Sequence, residues 1–367
     1  MMTIITQTIN RQLLISLLAG SVMGLGALPA VADEVATMGV GADISTMCGT
    51  KPMTVALTDG YGGDTWRKVV LAEFQDELSK CPNVKRFIYT NANGNQQKSN
   101  SDINSLVSQG VNVMVSFTDF GDAMLPALRS AKKAGVTVVP YFSKIAGTPG
   151  RDYTALVYQD QERVGEMWAD WFGTTLKEGN VVLLGGVPGA SSSLRFMQGF
   201  KQGVQKYPGL HLLDESYIVT NWTPSDAQKA VAGLIAKYPK IDGIASDFGA
   251  TTLAAVKAFQ QAGLPVPAQA TAASSNELNC RYIDDAKAGK GWSYFALDGT
   301  TTLARFALRR AVAEFQGTLD PEPLGVVPFA SADSAKGLQP KCDPSAPPDA
   351  DSSSILPPEK LKQVFQN

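Results

Sequence analysis

Short apolar runs and amphipathic stretches alternate along most of this chain, and the alternation is clearest at 241–263, IDGIASDFGATTLAAVKAFQQAG. Residues 241–245 predict a short buried strand and 246–249 a polar turn at its C-terminal edge. Thr251 or Thr252 can cap a helix whose apolar face uses Leu253, Val256 and Phe259. Gly263 ends that helix, and Pro265 and Pro267 lead into the next strand. One strand, a corner, a helix and a second strand make a βαβ unit, and in such sheets ligands gather outside the C-terminal ends of the strands. Asp247 stands at that position; capping its own helix is the other use open to it.

The same unit recurs upstream. Residues 52–58 (PMTVALT), 84–90, 111–116 and 136–140 predict strands, with helices over 66–80, up to 109, and over 124–134. Repeated βαβ winds into a parallel sheet, and strands this continuously apolar expect helices on both faces. The pattern pauses at 141–150 and resumes with a strand at 153–158. A helix at 161–172 then carries Val164, Met167, Trp168 and Trp171 as core. Strands at 179–185, 210–219 and 266–273 build a second sheet. After a return at 274–276 come a helix (278–288), a strand (292–297) and a long amphipathic helix (300–315). The expected class is α/β: two Rossmann-like lobes with parallel sheets joined by a hinge of three crossings, near 141–152, 274–277 and 317–327. Residues 51–145 and 276–316 form lobe 1 in this reading, 150–275 form lobe 2, and 317–367 supply the final crossing and an irregular tail. Residues 33–48 read as a loosely held arm.

The first 32 residues change the setting. Arg11, the apolar run 13–28 and Ala30-Val31-Ala32 read as a signal peptide cleaved before Asp33, so the mature protein is expected to be exported and soluble; the resemblance given below narrows that to the periplasm. A formal net charge of -2 from 32 basic and 34 acidic side chains gives no general pull toward nucleic acid. One histidine argues against histidine-based metal chemistry, and nothing in the sequence implies a cofactor. In an oxidising compartment four cysteines suggest two disulfides. Cys48 precedes the first core strand and Cys81 ends the first helix, so a βα unit can join them. Cys280 and Cys342 would then staple the tail, although four cysteines allow three pairings.

Polar and aromatic groups collect at the C-terminal edges of both sheets: Asp64 and Trp66, Asp119, Phe142, Arg195, Asn221 and Trp222, Asp247, and Asn276. Carboxylates accept from hydroxyls, arginine and amides donate, and aromatic faces cover the C–H surface of a sugar ring. Arg195 lies in the first turns of its helix, where the dipole disfavours a cation and calls for an anion or a hydroxyl-rich ligand. A surface ion pair meets the same need. Asp64, Asp119 and Asp247 permit a glycosidase pair on paper, but no local signature carries a nucleophile with its base. The expected protein binds a ligand and is not an enzyme; an exported sugar-processing enzyme is the alternative.

Three stretches carry a resemblance: VALTDGYGGDTW at 55–66, GVPGASSSLRFMQGF at 186–200, and 241–263. Over about 51–317 the chain resembles the periplasmic sugar-binding proteins of ABC importers, of the ribose and galactose type, with the lactose-repressor-like periplasmic binding fold (type I). The resemblance implies sugar hydroxyls on Arg195 and Asp247, ring stacking on Trp66 and a polar contact from Asn221. It also implies a membrane permease as partner, a monomeric state, and a chemoreceptor as a further partner; a purely chemosensory role is an alternative within the same fold. The family's usual Asp-Arg after the fourth strand is replaced by Phe142-Ser143, and its Gly-x-Asp near 272–274 is missing, with Asn276 as the substitute.

Overall fold

Apolar, β-branched runs become strands here wherever a glycine- or asparagine-rich corner ends them and an amphipathic helix follows. The computed structural model describes residues 36–351 and 353–366; the expected signal peptide lies outside the described residues. In chain order come β1 (Ala36–Thr37), β2 (Met53–Asp59), α1 (Thr65–Leu78), β3 (Val84–Asn91), α2 (Gln96–Ser108), β4 (Val113–Phe117), α3 (Leu125–Lys133), β5 (Thr137–Phe142) and β6 (Val157–Gln159). Then follow α4 (Gln161–Thr175), β7 (Gly179–Gly185), α5 (Ser191–Val204), β8 (Leu210–Leu212), β9 (Ile218–Val219), α6 (Pro224–Lys237), β10 (Gly243–Ser246), α7 (Gly249–Gln261), β11 (Ala268–Ala272), α8 (Asn276–Lys287) and β12 (Tyr294–Leu297). The chain closes with α9 (Leu303–Gln316), β13 (Gly325–Val327), β14 (Ala330–Asp333) and α10 (Pro358–Val364).

Two sheets result. The first has the order β1-β13-β6-β5-β4-β2-β3 and is parallel throughout. The second runs β14-β12-β11-β10-β7-β8, with β9 also pairing β7; only β14 is antiparallel. The two-lobed α/β class expected from the pattern is therefore present, with the chain passing three times between the sheets.

The passages fall elsewhere than expected. Tyr141 pairs with Val157 and Phe142 with Tyr158, so the strand at 157–159 still belongs to the first sheet. Gln269 pairs with Tyr294, which keeps α8 and β12 with the second lobe rather than the first. The crossings lie after β6, between β12 and α9, and between β13 and β14. Apolar strands of equal length look alike in sequence whichever sheet they join, which is why the pattern alone puts 150–159 and 276–297 in the other lobe. Residues 36–48 are not loose either. β1 pairs with β13, and Ile44 and Met47 are fully buried in the first core.

Both disulfides form as expected, with Cα–Cα distances of 5.3 Å for Cys48–Cys81 and 4.9 Å for Cys280–Cys342. The second fixes the start of a tail that touches both lobes. Asn276 Nδ2 donates to the Asp343 carbonyl (2.8 Å), and Glu277 N donates to that of Pro348 (2.7 Å). Further on, Ser354 Oγ and Ile355 N both donate to Glu73 Oε1 on α1, at 2.7 and 2.9 Å, and Lys360 pairs with Asp76.

Candidate functional site

The C-terminal ends of the two sheets face one another across a cavity lined from both lobes. Its volume is about 80 Å³, measured to the centre of a water-sized sphere, several times what one ordered water needs.

From lobe 1, the corner after β2 delivers α1. Asp64 caps that helix, accepting from Arg67 N at 2.8 Å, so Trp66 is fixed in its first turn. Trp66 donates its indole N–H to the Gly299 carbonyl (2.9 Å) and stands edge-on to Phe117 and Phe142, with ring centroids 5.9 and 5.3 Å away. Phe142 reaches this position with φ +91°, a backbone region that bulky residues avoid. Phe142 and Phe117 stack at 4.7 Å.

Arg67 brings the one cation of the cavity lining. Its guanidinium donates to Asp59 at 2.9 Å and to Asp119 at 2.7 Å, and lies 3.5 Å from the Phe117 ring centroid. Charge-assisted bonds and a cation–π contact hold it rigidly. Asp119 also accepts from Gly60 N (2.7 Å). Burial pushes its carboxyl up, against the pull of Arg67. Asp119 thus stands behind Arg67 and is not part of the lining.

From lobe 2, Asp247 presents its carboxylate at the end of β10. It does not cap α7, whose N-cap is Phe248. It accepts instead from Ser193 Oγ at 2.6 Å and from the Trp222 indole N–H at 3.1 Å. Desolvation pushes its pKa up to about 6, with those two donors opposing the rise. Trp222 sits in a turn at φ +53°, and its ring packs directly against Gly186: a Cβ there would fall 2.0 Å from Trp222 Cε2. Across the cleft Tyr61 meets Trp222 edge-on at 5.8 Å and packs on Phe120 at 5.5 Å, joining the lobes by aromatic contact.

Asp64, Trp66, Phe142, Trp222 and Asp247 therefore line the cavity. Besides Asp119, three expected residues do not. Arg195 donates to Glu162 at 2.9 Å; α4 and α5 approach so closely at Gly165 and Gly199 that this carboxylate is within reach. Ser192 and Phe196 of the same helix face the cavity in its place. Asn221 is exposed and donates to Asp226 (2.9 Å). Asn276 is spent on the tail. Among the lining residues that the sequence pattern does not single out, two are polar groups with a binding capacity of their own: Arg67, and Gln159 at the end of β6. Gln159 is 2% exposed, donates to Thr300 Oγ1, and has no hydrogen-bond partner on Oε1. A buried acceptor left open in this way is costly unless something fills it. Among the described residues, no group of three or more histidine, cysteine or acidic side chains is placed to hold a metal ion.

The sequence matches the periplasmic binding protein domain family over residues 55–317, and the chain belongs to that family. A xylitol-binding protein of Mycolicibacterium smegmatis is 28% identical over 202 residues, 53% of this chain and 55% of that protein. A D-xylose-binding periplasmic protein of Escherichia coli is 28% identical over 177 residues, 47% of this chain and 52% of the other. The chain thus matches about half the length of these curated relatives. The solved myo-inositol binding protein of Caulobacter, bound to myo-inositol, aligns with a TM-score of 0.64 over 76% of this chain and 92% of its own, at 22% identity, which is a likeness of fold.

Proposed function

We propose that this chain is the substrate-binding component of an ABC importer, capturing a sugar or polyol between its lobes in the periplasm and delivering it unchanged to a membrane permease. One observation carries this reading. The Asp247 carboxylate of lobe 2, held by Ser193 and Trp222, faces an aromatic wall of Trp66 and Phe142 from lobe 1. The pair offers a hydroxyl acceptor opposite an apolar face, which suits a ring or chain with hydroxyls on one side and C–H groups on the other. Gln159 Oε1 adds an acceptor and Arg67 a donor. Family membership supports the role, and the xylitol- and D-xylose-binding relatives support the ligand class.

Only closure of the lobes lets both sets of contacts form, so ligand shifts the population toward the closed arrangement. Thermal-shift screening of pentoses, hexoses, polyols and sugar acids, followed by calorimetry and mass spectrometry of the recovered ligand, tests the proposal. Saturable binding of a sugar or polyol that is recovered unaltered is expected. Turnover, or the absence of binding by any polyhydroxylated compound, overturns it.

A further inference from the structure

A second chamber adjoins the cavity. Trp66, Phe248 and Ala273 line both, so the two spaces share that wall. By the same measure the second chamber holds about 240 Å³, against about 80 Å³ for the first. Leu253 and Ala254 of α7 give it an apolar wall, Thr65 and the Lys257–Glu277 ion pair (2.7 Å) a polar one, and Pro348, Asp349 and Asp351 of the tail its roof. That roof lies outside the family-matched stretch 55–317.

The roof is well anchored. Asn276 N donates to the Ala350 carbonyl at 2.9 Å, Glu277 N to that of Pro348, and the Cys280–Cys342 bridge pins the segment where it begins. Asp351 is 4% exposed and accepts from Ser353 N at 2.7 Å. A preformed space of this kind, with an aromatic edge, an apolar wall, and charged donors and acceptors, repeats the chemistry of the first cavity. It also lowers the ordering cost of whatever fills it.

We propose that the second chamber is a subsite for a group attached to the sugar or polyol in the first. The ligand class is then a glycoside or disaccharide, and the tail is the element that selects for it. This rests on the function proposed above. The reducing or terminal unit occupies the cavity between Trp66 and Asp247, and the attached unit passes Trp66 and Phe248 to lie against Leu253 beneath Pro348. The Lys257–Glu277 pair and Asp351 meet its hydroxyls.

Calorimetry on the mature chain with D-xylose, xylobiose and methyl β-D-xyloside, and with the matching glucose series, tests this. The expected result is that, in at least one series, the disaccharide or glycoside binds about tenfold or more tighter than its monosaccharide. Leu253→Trp, which fills the chamber, should remove that gain and leave monosaccharide affinity within about twofold. Lys257→Ala, at a partly exposed position, serves as a second variant less prone to misfold and should lose part of the gain. Monosaccharides binding as tightly as their glycosides, or Leu253→Trp weakening both alike, overturns the subsite while leaving the proposed function standing. Absence of binding in both series, with none from the wider sugar and polyol screen, overturns the two together.

Discussion

On the proposed function, Asp247 should couple ligand capture to pH. Its carboxylate is desolvated at the cavity wall, which pushes its pKa up to about 6. A ligand hydroxyl that donates to it needs the ionised form, and the bond formed then holds the bound pKa lower. Affinity should therefore be at its plateau well above pH 6 and fall as pH drops through 6. At pH 5, one unit below the pKa, roughly one molecule in eleven is ionised, so affinity should be about tenfold weaker, or about 1.4 kcal/mol. Asp119 and Asp351 also lie high and Asp298 is raised to about 7, so pH alone does not single out Asp247. Asp247→Asn does. It should bind more weakly at pH 8 and lose most of the slope between pH 8 and pH 5. Calorimetry of both proteins at half-unit steps checks this. A wild-type affinity that is flat from pH 5 to 8, or a slope unchanged in the variant, would refute the role given to Asp247.

Other perturbations follow from the same geometry. Gly186→Ala places a methyl group inside the Trp222 ring, so Trp222 must move and release Asp247; ligand affinity should fall with little change in melting temperature, measured by calorimetry and differential scanning fluorimetry. Arg67→Ala strands Asp59 and Asp119 in a buried setting and should destabilise the fold by about 3–5 kcal/mol in chemical denaturation, besides weakening binding. Replacing Cys48 and Cys81 by serine opens a loop with a sequence separation of 33 and should cost about 3–4 kcal/mol of unfolding free energy in the same assay.

Much of the architecture was legible because it depends on periodicity. The alternation of strand, corner and helix, the two sheets and the βα closure that joins Cys48 to Cys81 are all local consequences of pattern. Sheet membership was not, since it depends on which apolar edge a strand meets after the chain has crossed, as Val157–Gln159 and Tyr294–Leu297 show. Residues fixed by their own corner do line the cavity: Asp64, Trp66, Trp222 and Asp247. Arg195 and Arg67 both lie in the first turns of a helix and both satisfy the dipole argument with carboxylates. Glu162 draws one away from the cleft, while Asp59 and Asp119 hold the other at its wall. That difference is set by long-range packing, which spacing along the chain does not encode.

The tail that leaves Cys342 and reaches α1 has a mechanical consequence. It is fastened to lobe 2 at Asn276 and Cys280 and to lobe 1 at Glu73 and Asp76, so it acts as a tether in parallel with the three crossings. Any rotation that parts the lobes at Asp351 must either stretch this tether or peel it from α1. On the proposed function, the tether should limit the amplitude of gaping, and with it the rate at which a bound ligand escapes.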